Sequence, residues 1–223
     1  MGGMEFTSRM HGAPLRDAEV TVSASTPAVA IGHWPAEGRV GHFTPNRVWI
    51  EGPQGELLQE RCAPGATFRT VRHWFWWDQL DVLYYCGLCL WQALCLPFTA
   101  LRSGCEVQEL EPVDLAGERW QLLRLVLPAD VPGTAPEQVL YADAGGLIHR
   151  IDYAPTLYGA FWRVGQTLAD HDVFDGFVHA TRRRVYPSLP NGQMLRATRL
   201  GWLDLDDVSV TRRTAAATEA GGS

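Results

Sequence analysis

A chain of 223 residues with 46% hydrophobic and 20% charged residues has the composition of a globular protein, which excludes global disorder. Its formal net charge of −6 argues against nucleic acid or an anionic membrane surface as the main partner. All 19 cationic residues are arginine, so Schiff-base lysines, lysine-bound pyridoxal phosphate and a Walker A lysine are excluded.

The N-terminal stretch MGGMEFTSRMHGAPL lacks the apolar run of a secretory signal. With five cysteines, an odd number, a reduced cytoplasmic setting is the expectation. Residues 1–40 are weakly patterned, with a short strand predicted over 19–24 and a Gly/Pro-rich connection through Gly32-His33-Trp34-Pro35. Signals sharpen from Arg47, where 47–51 and 56–61 flank Gly52-Pro53-Gln54-Gly55 as a hairpin.

The next stretch, WFWWDQLDVLYYCGLCLWQALCLPFTAL from Trp74 to Leu101, holds four of the nine tryptophans and three of the five cysteines. Between Asp78 and Leu96 only Gly87 breaks the pattern, which predicts a helix of about five turns. Pro97 should end it. At 100° per residue Asp78, Asp81, Tyr85, Cys89 and Gln92 form one narrow polar stripe, and the rest of the circumference is almost wholly apolar. Such a helix belongs inside a protein. It is long enough to span a bilayer, but Asp81, Gln92, Gly87 and Pro97 argue against that. Cys86-x-x-Cys89 has the spacing of a zinc or redox half-site; without a second pair or a nearby histidine, the cysteines read as small hydrophobes, and no metal or cofactor is expected.

Beyond the helix, 105–113 and 118–127 flank Asp114-Leu115-Ala116-Gly117, and 138–142 and 147–153 flank Asp143-Ala144-Gly145-Gly146. Strands are predicted again at 161–169, 177–186, 194–200 and 205–210, with Asp175-Gly176 and Asn191-Gly192 as turns. The tail, 214–223, reads as disordered, leaving 1–213 as a single domain. Hairpin-linked strands around one buried helix predict a mostly β (α+β) fold. The expected form is a single curled antiparallel sheet, or half-open β-barrel, wrapped around the long apolar helix with an internal apolar cavity.

Three sets of residues carry a resemblance across about residues 40–210. They are Trp77-Asp78-x-Leu80-Asp81-x-x-Tyr84 with Pro97-Phe98; Gln138-x-x-Tyr141-x-Asp143-x-x-Gly146-Leu147-x-x-Arg150-x-Asp152-Tyr153; and Asp175-Gly176 followed by Thr181-Arg182-Arg183-Arg184. On these the chain resembles a group of largely uncharacterised bacterial proteins with the architecture of the periplasmic lipoprotein carriers. The resemblance implies a half-open antiparallel barrel over helical cover, with an apolar cavity between them. Cys86, Cys89 and Cys95 depart from the small and aromatic residues expected there, as in a specialised or repurposed member.

No GxSxG, HExxH, GxGxxG or EF-hand motif is present, and the seven histidines are scattered. Strand alternation puts Leu147, His149, Ile151 and Tyr153 on an inward face, with Arg150 and Asp152 opposite. It also puts Phe177, His179, Thr181, Arg183 and Val185 on one face, so Arg183 points inward and needs a partner, expected in Asp78 or Asp81. If the helix stripe faces the cavity, Asp78, Asp81, Tyr85 and His149 are the catalytic candidates. Trp74, Trp77, Tyr84, Cys89, Trp91, Gln92, Tyr153, His179 and Arg183 would then line the ligand site. If it faces water, the two aspartates only cap the helix.

The partner expected is therefore an apolar small molecule. The leading reading is a cofactor-independent cyclase or isomerase of natural-product biosynthesis, acting by shape and proximity. The alternative is a non-enzymatic carrier of a lipid or other hydrophobic ligand.

Overall fold

The computed structural model describes residues 2–4, 15–68, 76–96, 98–115, 117–158 and 162–211. It opens with β1 (Gly2–Met4), which returns late to the edge of a large sheet. The next five strands, β2 (Val20–Ser23), β3 (Ala28–Gly32), β4 (Val40–Thr44), β5 (Arg47–Glu51) and β6 (Leu57–Cys62), form an antiparallel meander in chain order. A short helix, α1 (Pro64–Thr67), and the principal helix, α2 (Gln79–Cys95), follow. Then come β7 (Glu106–Leu115), β8 (Glu118–Val126), β9 (Glu137–Ala142), β10 (Ile148–Tyr153), β11 (Arg163–Phe174), β12 (Phe177–Ser188) and β13 (Gly201–Asp204). These seven and β1 make an eight-stranded antiparallel sheet in the order β1-β13-β12-β11-β10-β9-β8-β7.

The architecture is thus mostly β, with two open sheets where the sequence pattern predicts one. The physical reason lies on both sides of the helix. The weakly patterned N-terminal part supplies β2, β3 and the start of β4. The helical excursion between β6 and β7 then interrupts the meander, and each of those strands is left as an edge. The strands expected over 194–200 and 205–210 do not form. Met194 makes an isolated bridge to Ser188, a turn closes from Thr198 N–H to Leu195 O at 3.1 Å, and pairing resumes only at Gly201. Trp74, Pro97 and the tail from 214 lie outside the described residues.

Helix α2 begins where its chemistry says it should. The Asp78 carboxylate accepts from the N–H groups of Leu80 and Asp81, both at 3.0 Å, and Asp81 returns the bond to the Asp78 N–H at 3.1 Å. This is a capping box built from two aspartates. The helix stops at Leu96, which is extended as a residue before proline prefers to be.

The helix lies directly on the five-stranded sheet, whose alternating Val29, Ile31, Phe43, Val48 and Ile50 are all buried. Two glycines permit the close approach. A Cβ on Gly87 would sit 2.3 Å from Phe43 Cγ, and one on Gly41 would sit 2.8 Å from Leu83 Cδ1. Leu125, Leu140, Ile151 and Leu168 of the eight-stranded sheet belong to the same buried core.

Candidate functional site

The polar stripe of α2 divides into two parts. At its N-terminal end, Arg61 of β6 reaches Asp78 with Nη1 at 3.1 Å and Nη2 at 2.6 Å, and its Nη1 also donates to Asp81. Asp81 is fully buried. Burial opposes ionisation of Asp78, but hydrogen bonds from Arg61 and the helix N-terminus outweigh it and hold the carboxyl below its ordinary range. The two aspartates therefore cap the helix and fasten it to β6. They are not the partners expected for Arg183.

The aromatic candidates on the rest of the helix serve mainly as packing. Tyr84 contacts Phe43 and Phe68, and Trp91 is fully buried with its Nε1–H donating to Ser23 O at 2.9 Å. Trp77 is buried between Phe68 and Tyr85.

The second part of the stripe faces the eight-stranded sheet. Cys89 lies within electrostatic reach of Tyr85 and of Tyr153. Gln92 Oε1 accepts from the N–H and the hydroxyl of Thr134, at 2.9 and 2.8 Å, and Thr134 also meets the Tyr153 side chain. Opposite them stands the inner face of the sheet. Gln138 pairs in register with both Leu125 and Tyr153, and Arg183 with Leu168, which places all three polar residues on the face of core leucines. His179 lies on that face of β12, and Phe98 packs against Phe177 at 5.2 Å and His179 at 6.4 Å.

Burial sets the electrostatics of this group. It pushes the Cys89 thiol up to about 12 and the Tyr153 phenol well above its ordinary range, so neither ionises at neutral pH. Burial, and then Arg183, hold the His179 imidazole below its usual value. Arg183 is 3% exposed, and burial draws its guanidinium down to about 10, which leaves it charged at pH 7. Its Nε and Nη1 have no hydrogen-bond partner among the described residues, and the same is true of Gln138 Oε1. An unpaired buried charge costs several kcal/mol.

His149 does not join this group. A bulge between Ile148 and Arg150 breaks the alternation, so Ile148, Ile151 and Tyr153 turn to the core. His149 instead bonds Asp143 at 2.8 Å and lies against Trp120 and His171. Arg150 and Asp152 pair on the opposite face with Tyr141, as alternation predicts. Sequence reasoning passed over Thr134 and Gln138. Gln138 was within reach, because it alternates with Leu140 and Ala142; Thr134 lies in an irregular connection that carries no period.

Among the described residues no cluster of three metal-ligating side chains forms, and no helix is long and apolar enough to cross a membrane. No protein-family model matches the chain, and no curated protein does. Three solved structures are similar to it at low identity. A LolA superfamily protein from Nitrosomonas europaea shares 14% identity over 79% of this chain and 68% of its own, with a TM-score of 0.45. A putative outer membrane lipoprotein-sorting protein domain from Vibrio parahaemolyticus shares 12% over 81% and 68%, with a TM-score of 0.43. A DUF1329 family protein from Desulfovibrio piger shares 12% over 87% and 72%, with a TM-score of 0.41. At these identities and TM-scores the function of the chain rests on its own residues.

Proposed function

We propose that this chain binds an apolar small molecule between the middle of α2 and the inner face of the eight-stranded sheet, as a non-enzymatic binding or carrier protein. The observation that carries this reading is the set of polar side chains Gln138, Tyr153 and Arg183, which the register of the sheet puts among core leucines, with atoms of Gln138 and Arg183 lacking a hydrogen-bond partner among the described residues. Tyr85, Cys89, Gln92, Tyr153, His179 and Arg183 would line this internal cavity. Apolar walls with a few convergent polar groups are the ordinary make-up of a small-molecule site. The driving force is the release of apolar surface from water on both sides.

The cyclase or isomerase reading has less behind it. It needs an acid and a base at the reacting atoms, and Asp78 and Asp81 are held by Arg61 at the far end of the stripe. The Cys89 thiol of α2 and the Tyr153 phenol of β10 stay protonated at neutral pH.

Titration with the neutral dye Nile red tests the reading, alongside a Cys89→Phe variant that fills the space. The expected result is saturable binding at one dye per chain. The variant should melt at an unchanged or higher temperature and bind at least about tenfold more weakly. A variant that melts far lower would mean the space is already filled with side chains. Unchanged dye binding in a stable variant would place the dye elsewhere.

A further inference from the structure

We propose that the ligand is an amphiphile ending in a single carboxylate, a long-chain monocarboxylic acid, whose head pairs with Arg183 while its chain lies between α2 and the eight-stranded sheet. This rests on the binding function and names its ligand class.

β12 carries three consecutive arginines, Arg182, Arg183 and Arg184. Arg182 and Arg184 point away from the core, and each has a carboxylate: Asp170 at 2.9 Å for Arg182 and Asp204 at 2.7 Å for Arg184. Arg183 points inward among Leu168, His179 and Tyr153, and among the described residues it forms no ion pair. The fold thus supplies anions to the two arginines that water could have satisfied and none to the one it could not reach. A buried guanidinium with two unbonded nitrogens is stable only if something else brings the charge. Guanidinium and carboxylate match in geometry and form strong charge-assisted hydrogen bonds.

The number of charges points to a monoanion. His179, four residues away on the same face, is held neutral at physiological pH by burial and by Arg183 itself, so the site offers one positive charge. A phosphate monoester would bring a second negative charge with nothing to meet it. The remaining neighbours, Tyr153, Cys89 and Gln138, are neutral and suit a chain that is apolar next to its head.

Calorimetric titration of the full chain with hexadecanoate, hexadecanol, hexadecyl phosphate and inorganic phosphate tests this, using wild type, Arg183→Met, Arg183→Lys and Arg182→Met. Wild type and Arg182→Met should bind hexadecanoate at least about tenfold tighter than hexadecanol. Arg183→Met should bind the acid and the alcohol alike, and Arg183→Lys should keep part of the preference. Without ligand, Arg183→Met should melt above wild type, because an uncompensated charge has been removed. Equal affinity for acid and alcohol in wild type would overturn the head-group assignment and leave the binding function standing. Tighter binding of hexadecyl phosphate, or competition by inorganic phosphate, would replace the carboxylate with a phosphate. Failure of every alkyl probe to bind would overturn both. An Arg183→Met chain that melts lower or fails to fold would show that the guanidinium has a structural partner.

Discussion

His179 is a residue whose ionisation the fold suppresses. It is 6% exposed, and both burial and the neighbouring guanidinium favour its neutral form. In the unfolded chain an imidazole titrates near pH 6.5. With the folded value depressed, the unfolded state binds more protons between the two. The contribution to stability is therefore complete above about pH 6.5 and is lost as pH falls through the folded value. Urea midpoints at pH 7.5 and 5.5 should fall with acidification in wild type, and His179→Gln should flatten that slope. An equal slope in the variant would mean that other groups carry it. The inward direction of His179 and Arg183 was legible in the sequence, because the two share one face of β12, although Ala180 between them is buried as well. The same logic failed at His149, where a bulge of one residue shifts the pattern and leaves no mark in composition.

At the scale of elements, α2 was the most legible part of the chain. Its ends at Asp78 and Leu96 follow from an acidic cap and a proline, both local signals. What holds it down was not legible, since Arg61 lies in a different element and only the fold brings it to Asp78 and Asp81. Removing Arg61 takes away the hydrogen bonds it donates to both largely buried carboxylates. Arg61→Met should cost roughly 3 kcal/mol in denaturant unfolding. A loss within experimental error would mean that the capping box alone suffices. Gly87 makes a second point about the helix. Alanine normally stabilises a helix interior by about 1 kcal/mol over glycine. Here its methyl would meet the ring of Phe43, which is 1% exposed and has no room to move. Gly87→Ala should therefore lower stability by about 1–3 kcal/mol. A gain would show that the helix can lift from the sheet.

For the whole molecule, the β-rich class and antiparallel order could be read from turn residues, whereas the division into two sheets could not. Strand signals are local, but whether β6 pairs with β7 depends on what the intervening helix covers. That division gives α2 two unlike sides. One side is pressed onto β2–β5 through Gly41 and Gly87; the other carries Cys89, within electrostatic reach of Tyr153 in β10, and Gln92, bonded to Thr134 in the β8–β9 connection. The proposed ligand lies on the second side and nowhere else. Photolabelling with a hexadecanol carrying a mid-chain diazirine, followed by mass mapping of the modified residues, tests this most directly. Labels on Tyr85, Cys89 and Tyr153 are the predicted result. Labels confined to exposed apolar residues such as Leu57, Trp76 and Leu101 would contradict it.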